Sequence, residues 1–158
     1  MKPAMAQGIA AGDKAPGFEL RESAGSTIKL EDLLAKGPVV VFFYPKDDSP
    51  GCTREACSFR DSYDAFQDAG ASVVGISSDS EASHLKFRDK HGFPFLLLSD
   101  PGGRVRKAFG VPKTLGIIDG RSTYIIDRNG IVRYAFHSQI QVNKHVDEAI
   151  TAVRSLSA

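Results

Sequence analysis

Cysteine is scarce in this chain: two among 158 residues, Cys52 and Cys57, five positions apart. A secreted domain held by a disulfide framework spreads more of them along its length, so that class is set aside. A bond between these two would close only a tiny loop and return little chain entropy. A reactive pair therefore explains them better than a structural staple. An excess of one charge is also missing. Lys and Arg number 20 against 19 Asp and Glu, a formal net charge of +1, and no basic cluster stands out, so no nucleic-acid partner is expected. No apolar run approaches the roughly 18–20 residues that span a bilayer, so no membrane partner is expected either. Internal repeats, low-complexity tracts and interdomain linkers are absent. Residues 1–12 are rich in Ala and Gly but lack the apolar segment of a secretory signal. They read as a loose tail ahead of a single domain over 13–158. A cytoplasmic setting is expected, and the mature form of an organellar protein would look alike.

What is present is enough for a real core: 42% of residues are hydrophobic and 25% charged, the balance of a globular protein. Pro38 precedes Val39-Val40-Val41-Phe42-Phe43-Tyr44, a β-branched and aromatic run that reads as a strand buried on both faces. A polar loop follows from Pro45 to Gly51. From Cys52 to Ala69 the period turns helical, with Ala56, Phe59, Tyr63 and Phe66 on one stripe and Gly70 as the stop. A second strand runs from Ser72 to Ser77. A helix capped by Ser80 and closed by Gly92 comes next. A short strand at 95–98, a short helix at 104–109, a strand at 123–126 and its hairpin partner at 131–136 follow, turning at Asp127-Arg128-Asn129-Gly130. An amphipathic helix at 142–156 ends the chain. Strands alternating with helices imply a mostly parallel sheet with helices on both faces, and the terminal hairpin adds antiparallel pairing. The order fits an α/β, thioredoxin-like architecture, a central mixed sheet flanked by helices on both faces. Architecture alone does not give function.

Chemistry concentrates at Cys52, where the first buried strand gives way to a helix. Exposed N–H groups and the positive end of the helix dipole favour an anion there, and hence the thiolate form of a thiol. A free thiol is only about 3% thiolate at pH 7, so full ionisation gains roughly 30-fold, part of which falling nucleophilicity takes back. A fast reaction also needs donors that stabilise its transition state. Ser49, three residues before Cys52, offers a hydroxyl, Pro45 and Pro50 stiffen the loop, and Gly51 lets the backbone come close. On one continuous helix Cys52 and Cys57 would be separated by about 7.5 Å of rise and about 140° of rotation. A disulfide needs Cα atoms within about 7 Å and facing Cβ vectors, so pairing would require the first turns to unwind.

The loop Pro45-Lys46-Asp47-Asp48-Ser49-Pro50-Gly51-Cys52 matches the peroxiredoxin pattern Pro-x-x-x-Thr/Ser-x-x-Cys. The continuation Cys52-Thr53-Arg54-Glu55-Ala56-Cys57-Ser58-Phe59-Arg60-Asp61 resembles the peroxiredoxin Q group, also called bacterioferritin comigratory protein. The stretches Ala15-Pro16-Gly17-Phe18, Val74-Gly75-Ile76-Ser77, Leu97-Leu98-Ser99-Asp100 and Gly120-Arg121-Ser122-Thr123-Tyr124-Ile125-Ile126-Asp127 agree. The resemblance covers the chain from about Asp13 to the last helix. It implies a thiol-dependent peroxidase acting on hydrogen peroxide and organic hydroperoxides, with no cofactor or metal. Cys52 would be the peroxidatic cysteine, attacking the O–O bond and becoming a sulfenic acid. Cys57 would resolve it to an intramolecular disulfide, recycled by thioredoxin or a similar dithiol reductant. Ser49 would hydrogen-bond the thiolate and peroxide, Pro45 would shield the site from water, and Arg121 would steady the developing charge. The group implies a monomer. One departure is Ser49 where Thr is more frequent: the hydroxyl is kept, but the methyl that fixes its rotamer is lost.

Four other readings compete. A disulfide reductase would normally carry Cys-x-x-Cys, and here four residues intervene. A module holding soft Cu(I) or Zn through two thiolates finds no His or Met between Tyr44 and Asp61 to complete it. A Cys–His hydrolase has no family signature around Cys52, and a non-catalytic redox sensor or interaction domain would be excluded by rapid peroxide turnover with an external thiol donor. The four histidines, His84, His91, His137 and His145, are scattered and read as mostly solvated surface residues.

Overall fold

A computed structural model describes residues 9–113 and 119–157. One seven-stranded sheet organises them, in the order β2-β1-β5-β4-β3-β6-β7. Its strands are β1 (Glu19–Glu22), β2 (Thr27–Lys29), β3 (Val39–Phe43), β4 (Ser72–Ser77), β5 (Leu96–Ser99), β6 (Ser122–Ile126) and β7 (Val132–His137). The helices are α1 (Leu30–Leu34), α2 (Pro50–Asp61), α3 (Tyr63–Asp68), α4 (Glu81–His91), α5 (Arg104–Phe109) and α6 (Val142–Ser157). The architecture is the expected mixed sheet, but less parallel than strand–helix alternation implied. Only β3–β4 and β4–β5 run parallel. β6 returns antiparallel to β3, and the hairpin of β1 and β2 docks antiparallel on β5. That hairpin and α1 are three to five residues each, too short to leave a periodic trace in the sequence.

The central strand explains the layering. All five residues of β3 are fully buried. The two-residue repeat of a strand sends Val39, Val41 and Phe43 to one face and Val40, Phe42 and the following Tyr44 to the other. The first face packs against α1 and α5 through Leu30, Leu33, Val105 and Phe109. The second packs against α2, α3, α4 and α6 through Phe59, Phe66, Phe87 and Val146. Phe42 and Phe59 stack at 4.4 Å between ring centres, which nails α2 to the middle of the sheet. Truncating a buried Phe of this kind costs about 3–5 kcal/mol.

The helix expected over 52–69 is broken in two. Its hydrophobic stripe continues, but the backbone leaves helical geometry at Ser62 (φ −104°, ψ 9°). Ser80 caps α4 as expected, its hydroxyl accepting from the Ser83 N–H at 3.1 Å, and Gly92 closes that helix in the left-handed conformation. The tail expected over 1–12 is held at its end. Ile9 is buried and donates its N–H to Phe109, and Gly12 donates to Val132. Residues 1–8 lie outside the described residues.

Candidate active site

Where β3 ends, the Tyr44 N–H donates to the Ile76 carbonyl, and Pro45 turns the chain out of the sheet. α2 then starts at Pro50, whose fixed φ and missing N–H suit a first helical position. Ser49 is the residue before the helix, and its side chain makes no capping bond. Its hydroxyl donates to the Lys46 carbonyl at 3.0 Å. The first turn, which carries Cys52, is thus free of a side-chain cap, and its N–H groups and dipole remain available to an anion.

Cys52 is 1% exposed and packs with Ala56, Phe59 and the second face of the sheet. One helical turn further on, Glu55 lies on the same face and is fully buried. Its Oε1 accepts from Arg121 Nη1 at 2.7 Å. Arg121 comes from the segment entering β6, is itself buried, and donates Nε–H to the Gln139 carbonyl at 3.3 Å. Its Nη2 lies 3.1 Å from where a Cβ on Gly51 would stand, so the glycine before Cys52 is what admits the guanidinium. Burial alone would lower Arg121. The Glu55 carboxylate and the nearby Cys52 sulfur outweigh burial and hold it above its ordinary value. Sulfur, cation and carboxylate therefore form one buried row.

Burial acts in the opposite direction on the carboxyl. It pushes Glu55 up to about 7 against the pull of Arg121. The second oxygen of Glu55 has no hydrogen-bond partner, and the ring of His145 stands 3.6 Å away. His145 donates Nε2–H to the Ser138 carbonyl at 2.7 Å and meets the Thr123 hydroxyl at Nδ1 at 2.8 Å. Burial holds it down at about 4, so it is neutral and offers Glu55 no charge.

A second guanidinium braces the frame. Arg106 donates to the Tyr44 carbonyl at 2.7 Å and to the Gly120 carbonyl at 2.6 Å, tying the residue before Pro45 to the residue before Arg121. It lies 5.7 Å from the Phe43 ring centre. Gly120 has no alternative here, since a Cβ on it would collide with the Pro112 carbonyl.

Of the residues singled out in the sequence, Cys52 and Arg121 come together. Pro45 is half-buried at the start of the loop, and Ser49 borders the first turn. Cys57 is half-buried on the same unbroken helix as Cys52, and both thiols are free. Glu55, Arg106 and His145 were missed. For Glu55 a signal existed: an acid three residues after Cys52 and one before Ala56 falls on the apolar stripe. The histidine expectation is corrected at two positions, because His84 and His145 are fully buried. Both sit on helix faces turned to the core. Among the described residues, the ligand atoms of Asp47, Asp79 and His84 lie within 4.8 Å of one another, but hydrogen bonds occupy them.

The roomier hollows lie elsewhere. One of about 500 Å³ is lined by Lys14, Leu30, Leu34 and Asn129 and does not reach Cys52.

Residues 11–135 match the model of the AhpC/TSA family. Peroxiredoxin Q, chloroplastic, from Oryza sativa subsp. japonica is 48% identical over 149 residues, covering 94% of this chain and 68% of that protein. The protein of the same name from Sedum lineare is 48% identical, with 94% and 80% covered. Among solved structures, peroxidoxin BcpB from Mycobacterium tuberculosis superposes with a TM-score of 0.87 at 39% identity, covering 94% of this chain and 98% of that one. Xanthomonas campestris peroxiredoxin Q gives 0.82 at 33% identity, with 89% and 92% covered.

Proposed function

This chain belongs to the AhpC/TSA family and is a peroxiredoxin, a thiol-dependent peroxidase, and from that premise we propose that Cys52 and Cys57 carry its turnover in three steps. In the first, the Cys52 thiolate attacks one peroxide oxygen. The O–O bond breaks, an S–O bond forms, and the departing oxygen takes a proton and leaves as water or an alcohol. Cys52 becomes a sulfenic acid and the peroxide is reduced by two electrons. In the second, the Cys57 thiol attacks that sulfur and water leaves, giving an intramolecular disulfide. In the third, a dithiol such as thioredoxin returns both thiols and is itself oxidised to a disulfide.

The observation that carries this reading is the buried row of Cys52, Arg121 and Glu55. The guanidinium, oriented by Glu55 and beside the Cys52 sulfur before substrate arrives, would stabilise negative charge as it moves from sulfur to the leaving oxygen. Ser49 would turn its hydroxyl from Lys46 toward the peroxide, and Pro45 would keep water off the sulfur. Cys57 lies five residues along α2, so the second step needs the first turns of that helix to open. Organic hydroperoxides belong in the reading beside hydrogen peroxide. A Xanthomonas campestris bacterioferritin comigratory protein, 33% identical, is described by its alkyl peroxide reduction activity. A cytoplasmic setting is part of the reading, beside plant relatives named chloroplastic. Among the described residues no helix is long and apolar enough to cross a membrane.

The test is peroxide consumption with thioredoxin and its reductase on wild type, Cys52→Ser and Cys57→Ser. Cys52→Ser should be inactive, and Cys57→Ser should react once and recycle poorly. Full turnover by Cys52→Ser overturns the assignment.

A further inference from the structure

The loop between β3 and α2 carries Pro45 and Ser49, yet neither residue anchors it. Its hold on the body of the protein comes from Asp47, which is buried although it lies between two exposed neighbours, Lys46 and Asp48. Oδ1 of Asp47 accepts from the Tyr44 hydroxyl at 2.6 Å. Oδ2 accepts from the Ser83 hydroxyl at 2.8 Å and meets Nδ1 of His84 at 2.7 Å. The Asp47 N–H donates to Oδ2 of Asp79 at 2.8 Å, and that same oxygen also takes the Ser77 hydroxyl. Three side-chain donors and one backbone donor thus tie one loop residue to the segments just after β3 and β4 and to α4.

His84 is built for this contact. Its ring is completely buried, and its other nitrogen faces the Leu98 carbonyl at 3.0 Å. A carbonyl only accepts, so Nε2 carries hydrogen, and a second proton must lie between Nδ1 and the carboxylate. Without it, two lone pairs would meet at 2.7 Å. Such charge-assisted bonds are short and directional. Burial and the Asp47 carboxylate also push the Tyr44 phenol well up, so it stays a donor. Immediately after Asp47 the chain reverses through Asp48 at φ +62°, the one non-glycine in the left-handed region among the described residues. Asp48 itself is tied only to exposed Lys90 and to half-buried His91, contacts worth little. The position of Ser49 thus follows from the anchor at Asp47.

We infer that Asp47 and His84 form a buried clamp that sets the position of the Pro45–Ser49 loop over Cys52, which makes both of them positioning residues for peroxide reduction. The inference rests on the peroxidase reading above. Because the clamp holds the loop and not α2, it acts on the first chemical step. Loosening it leaves the unwinding that brings Cys57 to Cys52 unhindered.

The experiment follows the two steps separately by rapid quench: oxidation of Cys52 by hydrogen peroxide, then disulfide formation. Asp47→Asn and His84→Gln should each slow oxidation roughly 10- to 100-fold, since a misplacement of about 1 Å near reacting groups has effects of that order. The double variant should be no slower than the worse single one, because both act through one contact. Disulfide formation should proceed at the wild-type rate or faster. Ser83→Ala removes one donor from a half-buried helical position and keeps a good helix former, so it decides the matter if the buried variants do not fold. It should slow oxidation about three- to tenfold. Oxidation at the wild-type rate in Ser83→Ala overturns the clamp, as do equal slowing of both steps and multiplying losses in the double variant. A wild-type protein that does not consume peroxide refutes instead the reading beneath it.

Discussion

Replacing Glu55 by Gln measures what the buried row costs the fold. The substitution keeps the shape and removes the charge. In the folded protein burial raises this carboxyl from its ordinary 4.5 to about 7, with Arg121 opposing. In the unfolded chain it titrates at its ordinary value. A folded-state value above the unfolded one means that the folded state binds the proton more tightly. The resulting stability is fully present below about pH 4.5 and is lost as pH rises through about 7. At 1.36 kcal/mol per pH unit, the gap corresponds to about 3 kcal/mol. The Gln variant lacks this linkage, and every other titrating group is shared, so the difference between the two proteins isolates it. Urea unfolding of the reduced proteins, followed by far-UV circular dichroism, gives that difference at each pH. Wild type should lose about 3 kcal/mol relative to Glu55→Gln between about pH 4.5 and about pH 8, and nothing further above that. A difference that stays constant refutes the reasoning. A wild type that gains on the variant as pH rises refutes it more sharply, since the Arg121 ion pair would then outweigh the desolvation of its partner.

Three other outcomes follow from the same geometry. Arg121→Lys keeps the charge but loses the fork that holds Glu55 while facing the sulfur, so kcat/KM for peroxide should fall roughly 100-fold in a competition assay. Gly120→Ala sets a methyl against the Pro112 carbonyl; an unfolding free energy lowered by about 1–3 kcal/mol and a peroxide rate down about tenfold are expected. Amide exchange over residues 50–57 should be faster in the oxidised protein than in the reduced one. Equal protection in the two states would argue against unwinding of α2.

Much of this was legible in the sequence because local signals and tertiary roles coincide. The run Val39–Tyr44 reads as a strand buried on both faces because it is the central one, covered by two layers. The Pro45–Cys52 motif was legible because a strand-to-helix turn is a local event. Arg121 was reached only through the family pattern: its partner Glu55 is 66 positions away, and no local spacing links the two. His84 and His145 were misjudged for the same reason. Each is polar on a helix whose other polar residues are exposed or half-buried, and only their partners Asp47, Leu98, Thr123 and Ser138 reveal why these two are buried. The break at Ser62 escaped notice because the apolar stripe runs straight across it.

The most direct test of the Cys52–Cys57 mechanism is a peptide map of the reduced protein after one equivalent of hydrogen peroxide, with remaining thiols alkylated. A single Cys52–Cys57 link within one chain, with both alkylated peptides lost together, is the predicted result. Cys52 oxidised while Cys57 is still alkylated in full would contradict it, as would Cys57 oxidised while Cys52 remains a thiol.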